Sequence, residues 1–262
     1  MTYSISDFIQ IVARLRDPKN GCPWDIKQTN KTMIPCVLEE AYEVVDAIEK
    51  DQTLELKEEL GDLLLQVVFL SQLATEDGKF NFNDVVNEVT NKIIRRHPHV
   101  FGEVKATNAE EALASWNAIK QIERNHKGNE SILDNVPDAF PALMRAEKLQ
   151  KRCAKVGFDW DNVQDVFNKV EEEILEVKEE INKDIQQQEK IEEELGDLLF
   201  SVVNLTRHLN CDAEKVLRNA NKKFERRFRK VEEKLNEKGK NCIQSNLKEM
   251  DIFWDDVKSE EK

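Results

Sequence analysis

Glu193-Glu194-Leu195-Gly196-Asp197-Leu198-Leu199-Phe200 has an earlier near-copy, Glu58-Glu59-Leu60-Gly61-Asp62-Leu63-Leu64-Leu65. Each follows a second acidic run, Glu172-Glu173-Ile174-Leu175-Glu176 in one case and Glu39-Glu40-Ala41-Tyr42-Glu43 in the other. The offsets are 173−40 = 133 and 176−43 = 133 for the first run, and 194−59 = 135 and 197−62 = 135 for the second. A two-residue insertion between neighbouring helices accounts for the difference. Carboxylates three residues apart share a helix face, so each copy offers four of them on two adjacent helices. The repeat predicts an all-α chain of two tandem four-helix-type domains. Their expected bounds are 1–125 and 141–262, with the breaker-rich stretch 126–140 as linker.

Composition agrees with long helices. Eight Gly and six Pro in 262 residues are too few for a sandwich or barrel, and 35% of residues are charged. The balance of 39 basic and 52 acidic residues gives a net charge of −13, which argues against nucleic-acid binding. The main basic run is confined to residues 222–230. Five scattered cysteines without a CxxC pair argue against a disulfide framework and for a reducing, cytoplasmic setting. No signal peptide or membrane span is expected, since no basic-then-apolar start or long apolar run occurs.

Apolar periodicity places helices at about 4–16, 34–50, 53–75, 83–96, 107–124, 141–155, 163–183, 187–210, 212–237 and 247–259. Asn83 is the expected cap of the fourth, and Thr107 with Glu110 the expected capping box of the fifth.

Glu is a good helix former, so one EExxE alone could be a solvated face. Three features favour a site. The acids share faces; Asp62 and Asp197 head runs apolar nearly all round, which predicts burial; and Gly61 and Gly196 sit inside helices, which predicts close approach of a neighbour or ligand. Converging carboxylates repel one another, and a divalent cation would resolve this. Ligation by oxygen without His or Cys suits Mg²⁺, with Mn²⁺ possible, rather than zinc. Di-iron bundles use Glu-x-x-His where this chain has Asp at the fourth position.

The paired EExxE and ExxD motifs resemble the MazG family of nucleoside triphosphate pyrophosphohydrolases. So do the loop Asn20-Gly21-Cys22-Pro23-Trp24-Asp25, the run Arg95-Arg96-His97-Pro98-His99-Val100-Phe101, and Lys222-Lys223-Phe224-Glu225-Arg226-Arg227-Phe228. The resemblance implies Mg²⁺-dependent hydrolysis of NTPs and dNTPs to the monophosphate and pyrophosphate by a homodimer, in nucleotide house-cleaning or stress regulation. It implies Glu173, Glu176, Glu194 and Asp197 as metal ligands, with Glu40, Glu43, Glu59 and Asp62 as a weaker second set. Nucleotide contacts are implied for Lys169, Lys190, Lys223, Arg227 and Trp254, and more weakly for Lys120. Glu172 and Glu193, beside the ligands, are candidates for orienting the attacking water. The alternatives are a pyrophosphatase restricted to one dNTP and a nucleotide or alarmone sensor without turnover.

The basic partners separate the halves. Lys223 and Arg227 map at an offset of 131 to Lys92 and Arg96. Lys169 maps to Cys36 (169−133 = 36), and Lys190 to Glu55 (190−135 = 55). The second half is therefore expected to carry the chemistry, and the first to be structural or weakly active.

Overall fold

A computed structural model describes residues 2–126 and 131–261. It divides into two compact units, Met1–Lys127 and Gly128–Lys262. Every regular element among the described residues is helical.

The first unit holds α1 (Ile5–Leu15), α2 (Ile34–Glu49), α3 (Thr53–Glu76), α4 (Phe82–Arg96), the short α5 (Pro98–Phe101) and α6 (Ala109–His126). Ser4 and Asp7 cap α1 reciprocally: Asp7 N donates to Ser4 Oγ, and Ser4 N to Asp7 Oδ2. Pro35 is tolerated in the first turn of α2, where its missing N–H would be unpaired anyway. The cap of α4 is Asn81 rather than Asn83, and its side chain accepts from the backbone N–H of Asn83 and Asp84. The cap of α6, by contrast, falls one residue later than expected, at Asn108. Asn108 accepts from Glu111 N, while the Glu111 carboxylate, not that of Glu110, reaches back to Thr107.

Val12, Met33, Val68, Phe69 and Leu73 form the core of this unit, with Phe8, Ile9, Cys36, Leu65, Leu70 and Phe82 packed on it. At the end of α1 the buried Arg16 pairs with Glu76 at 2.6 Å. It also donates to the carbonyls of Asp25 and Gln28, tying the 17–28 loop down. Gly21 sits against the backbone of Leu15 and Asp17, where a side chain would collide.

The second unit repeats the plan with α7 (Ala142–Ala154), α8 (Val163–Ile181), α9 (Gln188–His208), α10 (Ala213–Glu237) and α11 (Leu247–Glu260). Asn162, Asp212 and Asn246 cap α8, α10 and α11. Arg152, 136 residues after Arg16, donates to the carbonyls of Ile132, Asp134 and Asn135. Of the stretch expected to link the domains, His126 closes α6, residues 127–130 lie outside the described residues, and 131–135 are held by this arginine. Val231, Leu235, Phe253 and Val257 form a core between α10 and α11.

The main packing in each unit is between the two acidic helices, α2 with α3 and α8 with α9. Those helices are not apolar all round in effect. Val68 and Val203 are fully buried, but Leu64, Leu199 and Phe200 are 39%, 59% and 44% exposed. One face of each pair packs inward, and the other is left partly exposed by the described residues of its own unit. Gly61 and Gly196 also miss the expected close neighbour, because a Cβ at either would meet nothing within 4 Å.

Candidate metal and nucleotide site

Pairing of the two acidic helices brings three of the four motif acids of each unit close together. In the second unit, carboxylate oxygens of Glu173 on α8 and of Glu194 and Asp197 on α9 lie within 4.8 Å of one another. Glu173 is 4% exposed, and its Oε2 is buried without a hydrogen-bond partner. A buried carboxylate oxygen left unpaired is costly. With two further carboxylates alongside, this oxygen-only set could hold a cation, and the orphaned oxygen is the atom a cation would satisfy. Glu176 stands outside the closest set but feels it: burial, then the charge of Glu173, pushes its carboxyl up.

Lys169 supplies the nearby positive charge. Its Nζ lies 2.7 Å from Glu173 Oε1 and 2.7 Å from Glu172 Oε1. Those two hydrogen bonds raise the ammonium above the ordinary lysine range. Lys190 pairs with Glu193 on the next helix and is raised for the same reason. Both candidate water-orienting acids are thus engaged by the two lysines expected to meet phosphate.

The first unit shows a related but different cluster. Glu40, Glu43 and Glu59 bring carboxylate oxygens within 4.8 Å, and Asp62 stands outside that set. Its charge is still felt, because burial and then Asp62 push Glu40 up. Glu59 is raised by burial and then by Glu43. Gln66 donates to Glu40 at 3.3 Å. Cys36 occupies the position equivalent to Lys169 and packs on the apolar core.

On α10, Lys223 is exposed and Arg227 is half-buried. The Arg227 guanidinium lies 6.0 Å from the centre of the Trp254 ring. Trp254 also meets Phe224 at 5.3 Å and leans on the Val231–Val257 core, so one ring serves both core and surface. Lys120 lies on α6 in the first unit.

The sequence reading missed one feature here. Glu261 Oε2 accepts from Arg227 Nε at 2.8 Å, and its Oε1 from Arg226 Nε at 3.2 Å. The first unit repeats the arrangement. Glu123 accepts from Arg95 Nε at 2.6 Å and Arg96 Nε at 3.0 Å, and the Arg96 guanidinium lies 5.2 Å from the Trp116 ring centre. The offsets, 254−116 = 138 and 261−123 = 138, were legible signals that the repeat reaches the last helix.

This doubled architecture matches a known family model. Residues 28–101 and 162–232 both match the MazG nucleotide pyrophosphohydrolase domain. The chain belongs to the MazG family. A nucleoside triphosphate pyrophosphohydrolase of Escherichia coli K12 is 51% identical over 257 residues, covering 98% of each chain. A Thermotoga maritima protein described as nucleoside triphosphate pyrophosphohydrolase/pyrophosphatase MazG is 40% identical over 252 residues, covering 96% of this chain and 94% of its own. A crystal structure of a MazG-related protein from T. maritima superimposes with a TM-score of 0.39 at 30% identity, covering 45% of this chain and 99% of that one. Among the described residues of this MazG-family chain, no helix is long and apolar enough to cross a membrane.

Proposed function

We propose that this MazG-family chain hydrolyses nucleoside triphosphates, ribo- and deoxyribo- alike, to the monophosphate and pyrophosphate, and that the second unit does so. The observation that carries the reading is the buried, unpartnered Glu173 oxygen beside Glu194 and Asp197, with a lysine bridged to the same glutamate. Glu173, Glu176, Glu194 and Asp197 would hold Mg²⁺, and Mn²⁺ fits the same set. Bound there, the cation screens the carboxylates from the triphosphate and polarises its phosphates.

The chain's own residues do the rest. Lys169 and Lys190 trade their carboxylate partners for phosphate oxygens, forming charge-assisted hydrogen bonds. That exchange frees Glu172 or Glu193 to orient a water toward one phosphorus and to take its proton. Lys223 and Arg227 neutralise the remaining phosphate charge, and Trp254 offers a ring face for a base.

The exposed apolar faces around Leu64 and Leu199 support a homodimer assembled through the acidic helix pairs. Five free cysteines support work in a reducing cytoplasm.

The test is pyrophosphate release from a panel of NTPs and dNTPs, with Mg²⁺ and with EDTA. Turnover of several nucleotides that EDTA abolishes and Mg²⁺ restores is expected. Turnover of one dNTP only would narrow the activity to that nucleotide. Binding without pyrophosphate release would make the chain a sensor, and full turnover in EDTA would refute the cation site.

A further inference from the structure

We infer that Glu261 is a positioning residue for the triphosphate, acting through Arg227. The inference rests on the reading of Arg227 as a phosphate contact. A guanidinium has five N–H donors in a rigid fork. In this structure Glu261 Oε2 takes one edge of that fork, with Nε at 2.8 Å and Nη2 at 2.7 Å. The two Nη1 hydrogens and one Nη2 hydrogen are left over for a second acid, which is a bidentate edge of the shape a phosphate accepts. One carboxylate oxygen thus holds the arginine without consuming its binding edge.

Two contacts hold the guanidinium, and a third holds the carboxylate that it meets. Glu261 holds its Nε edge, the Trp254 ring lies 6.0 Å beneath it, and Arg226 occupies the other Glu261 oxygen at 3.1–3.2 Å. Arg226 balances the carboxylate charge, so Glu261 adds little net repulsion toward an anion. An unpinned arginine would lose rotamer freedom when the nucleotide binds, and a pinned one has already lost it. The first unit carries the same arrangement in Arg95, Arg96, Trp116 and Glu123, but without counterparts of Lys169 and Lys190.

The experiment measures KM and kcat for ATP, by pyrophosphate release, in the full chain and in Glu261→Gln, Glu261→Asp, Arg227→Ala and Glu261→Gln/Arg227→Ala. Circular dichroism melting of each variant is recorded alongside. Glu261→Gln should raise KM about five- to tenfold with kcat within about twofold, the pattern of lost binding rather than lost chemistry. Glu261→Asp should recover part of the loss. In the Arg227→Ala background the Gln substitution should add nothing, as a double-mutant cycle requires of a residue acting only through Arg227. Three results would overturn the inference: an unchanged KM in Glu261→Gln, a lowered KM, which would make Glu261 a competitor of phosphate, or an equal effect with and without Arg227. If Arg227→Ala alone leaves KM unchanged, the phosphate assignment of Arg227 fails first and this inference falls with it.

Discussion

The two acidic helix pairs began from one pattern and differ in what faces the carboxylates. In the α8–α9 pair, Lys169 bridges Glu172 and Glu173, and Lys190 holds Glu193. In the α2–α3 pair the same positions are Cys36 and Glu55. The consequence is visible in the acids. Glu40 and Glu59 are pushed up by burial and by neighbouring carboxylates, with no cation among the causes. Around Glu176 the charge of Lys169 offsets part of the same repulsion. Both clusters could hold a cation, but only the second pair has lysines at the Lys169 and Lys190 positions. Each missing charge-assisted contact is worth about 1.5–3 kcal/mol. On the proposed reading, losing two of them would make the first unit roughly a hundredfold or more weaker toward a nucleotide.

Removing the distinguishing lysine is the strongest way to break the contrast. Lys169→Ala should lower kcat/KM for ATP by about ten- to a hundredfold, the equivalent of one such contact. Wild-type kcat/KM in that variant would mean the lysine is only a helix-surface ion-pair partner. The fold should survive, because the substitution leaves a good helix former in α8.

The arginine forks give a subtler contrast. Hydrogen bonds from Arg96 and then Arg95 hold the Glu123 carboxyl down to about 2, against an ordinary value of 4.5. A carboxyl lowered in the folded state contributes stability that is fully present above about pH 4.5 and is lost as pH falls toward about 2. Glu123→Gln should therefore lower the melting temperature at neutral pH and flatten the loss of stability through that acid window. ATP turnover should barely change. A melting profile identical to wild type would show that the fork does not stabilise the first unit. Glu261 is lowered in the same direction by Arg227.

How much of this was legible in the sequence depended on whether spacing alone decides the feature. ExxD and EExxE needed only the helical period, so the gathering of Glu173, Glu194 and Asp197 could be read directly. The repeat likewise announced paired helices in both halves. Packing decides the rest. The burial of Glu173 and the orphaned state of its Oε2 depend on how α8 meets α9. The run Leu198–Val203 was expected to be buried all round, yet Leu199 and Phe200 face outward, because apolar composition does not say how many neighbours a helix has. Gly196 was expected to mark a close approach by a neighbouring helix or a ligand, and no described atom of a neighbouring helix lies within 4 Å of where its Cβ would stand. The basic run of α10 reads in sequence as either a phosphate contact or a solvated face, and neither reading points to a carboxylate. The carboxylate partner Glu261 lies just past the end of α11, more than thirty residues later, although the offset of 138 links it to Glu123.

The central claim is that the second acidic pair turns over nucleotide and the first does not. Its most direct measurement is ATP pyrophosphohydrolysis by Asp62→Asn and Asp197→Asn, assayed side by side in saturating Mg²⁺. The side-chain volume barely changes in either, and removing one of several repelling carboxylates should leave the apo fold intact. Asp197→Asn should lose about a hundredfold or more in turnover, or about 3 kcal/mol of barrier, while Asp62→Asn keeps most of it. Equal losses would mean that both pairs are catalytic, and the reverse order would place the chemistry in the first unit and contradict the account.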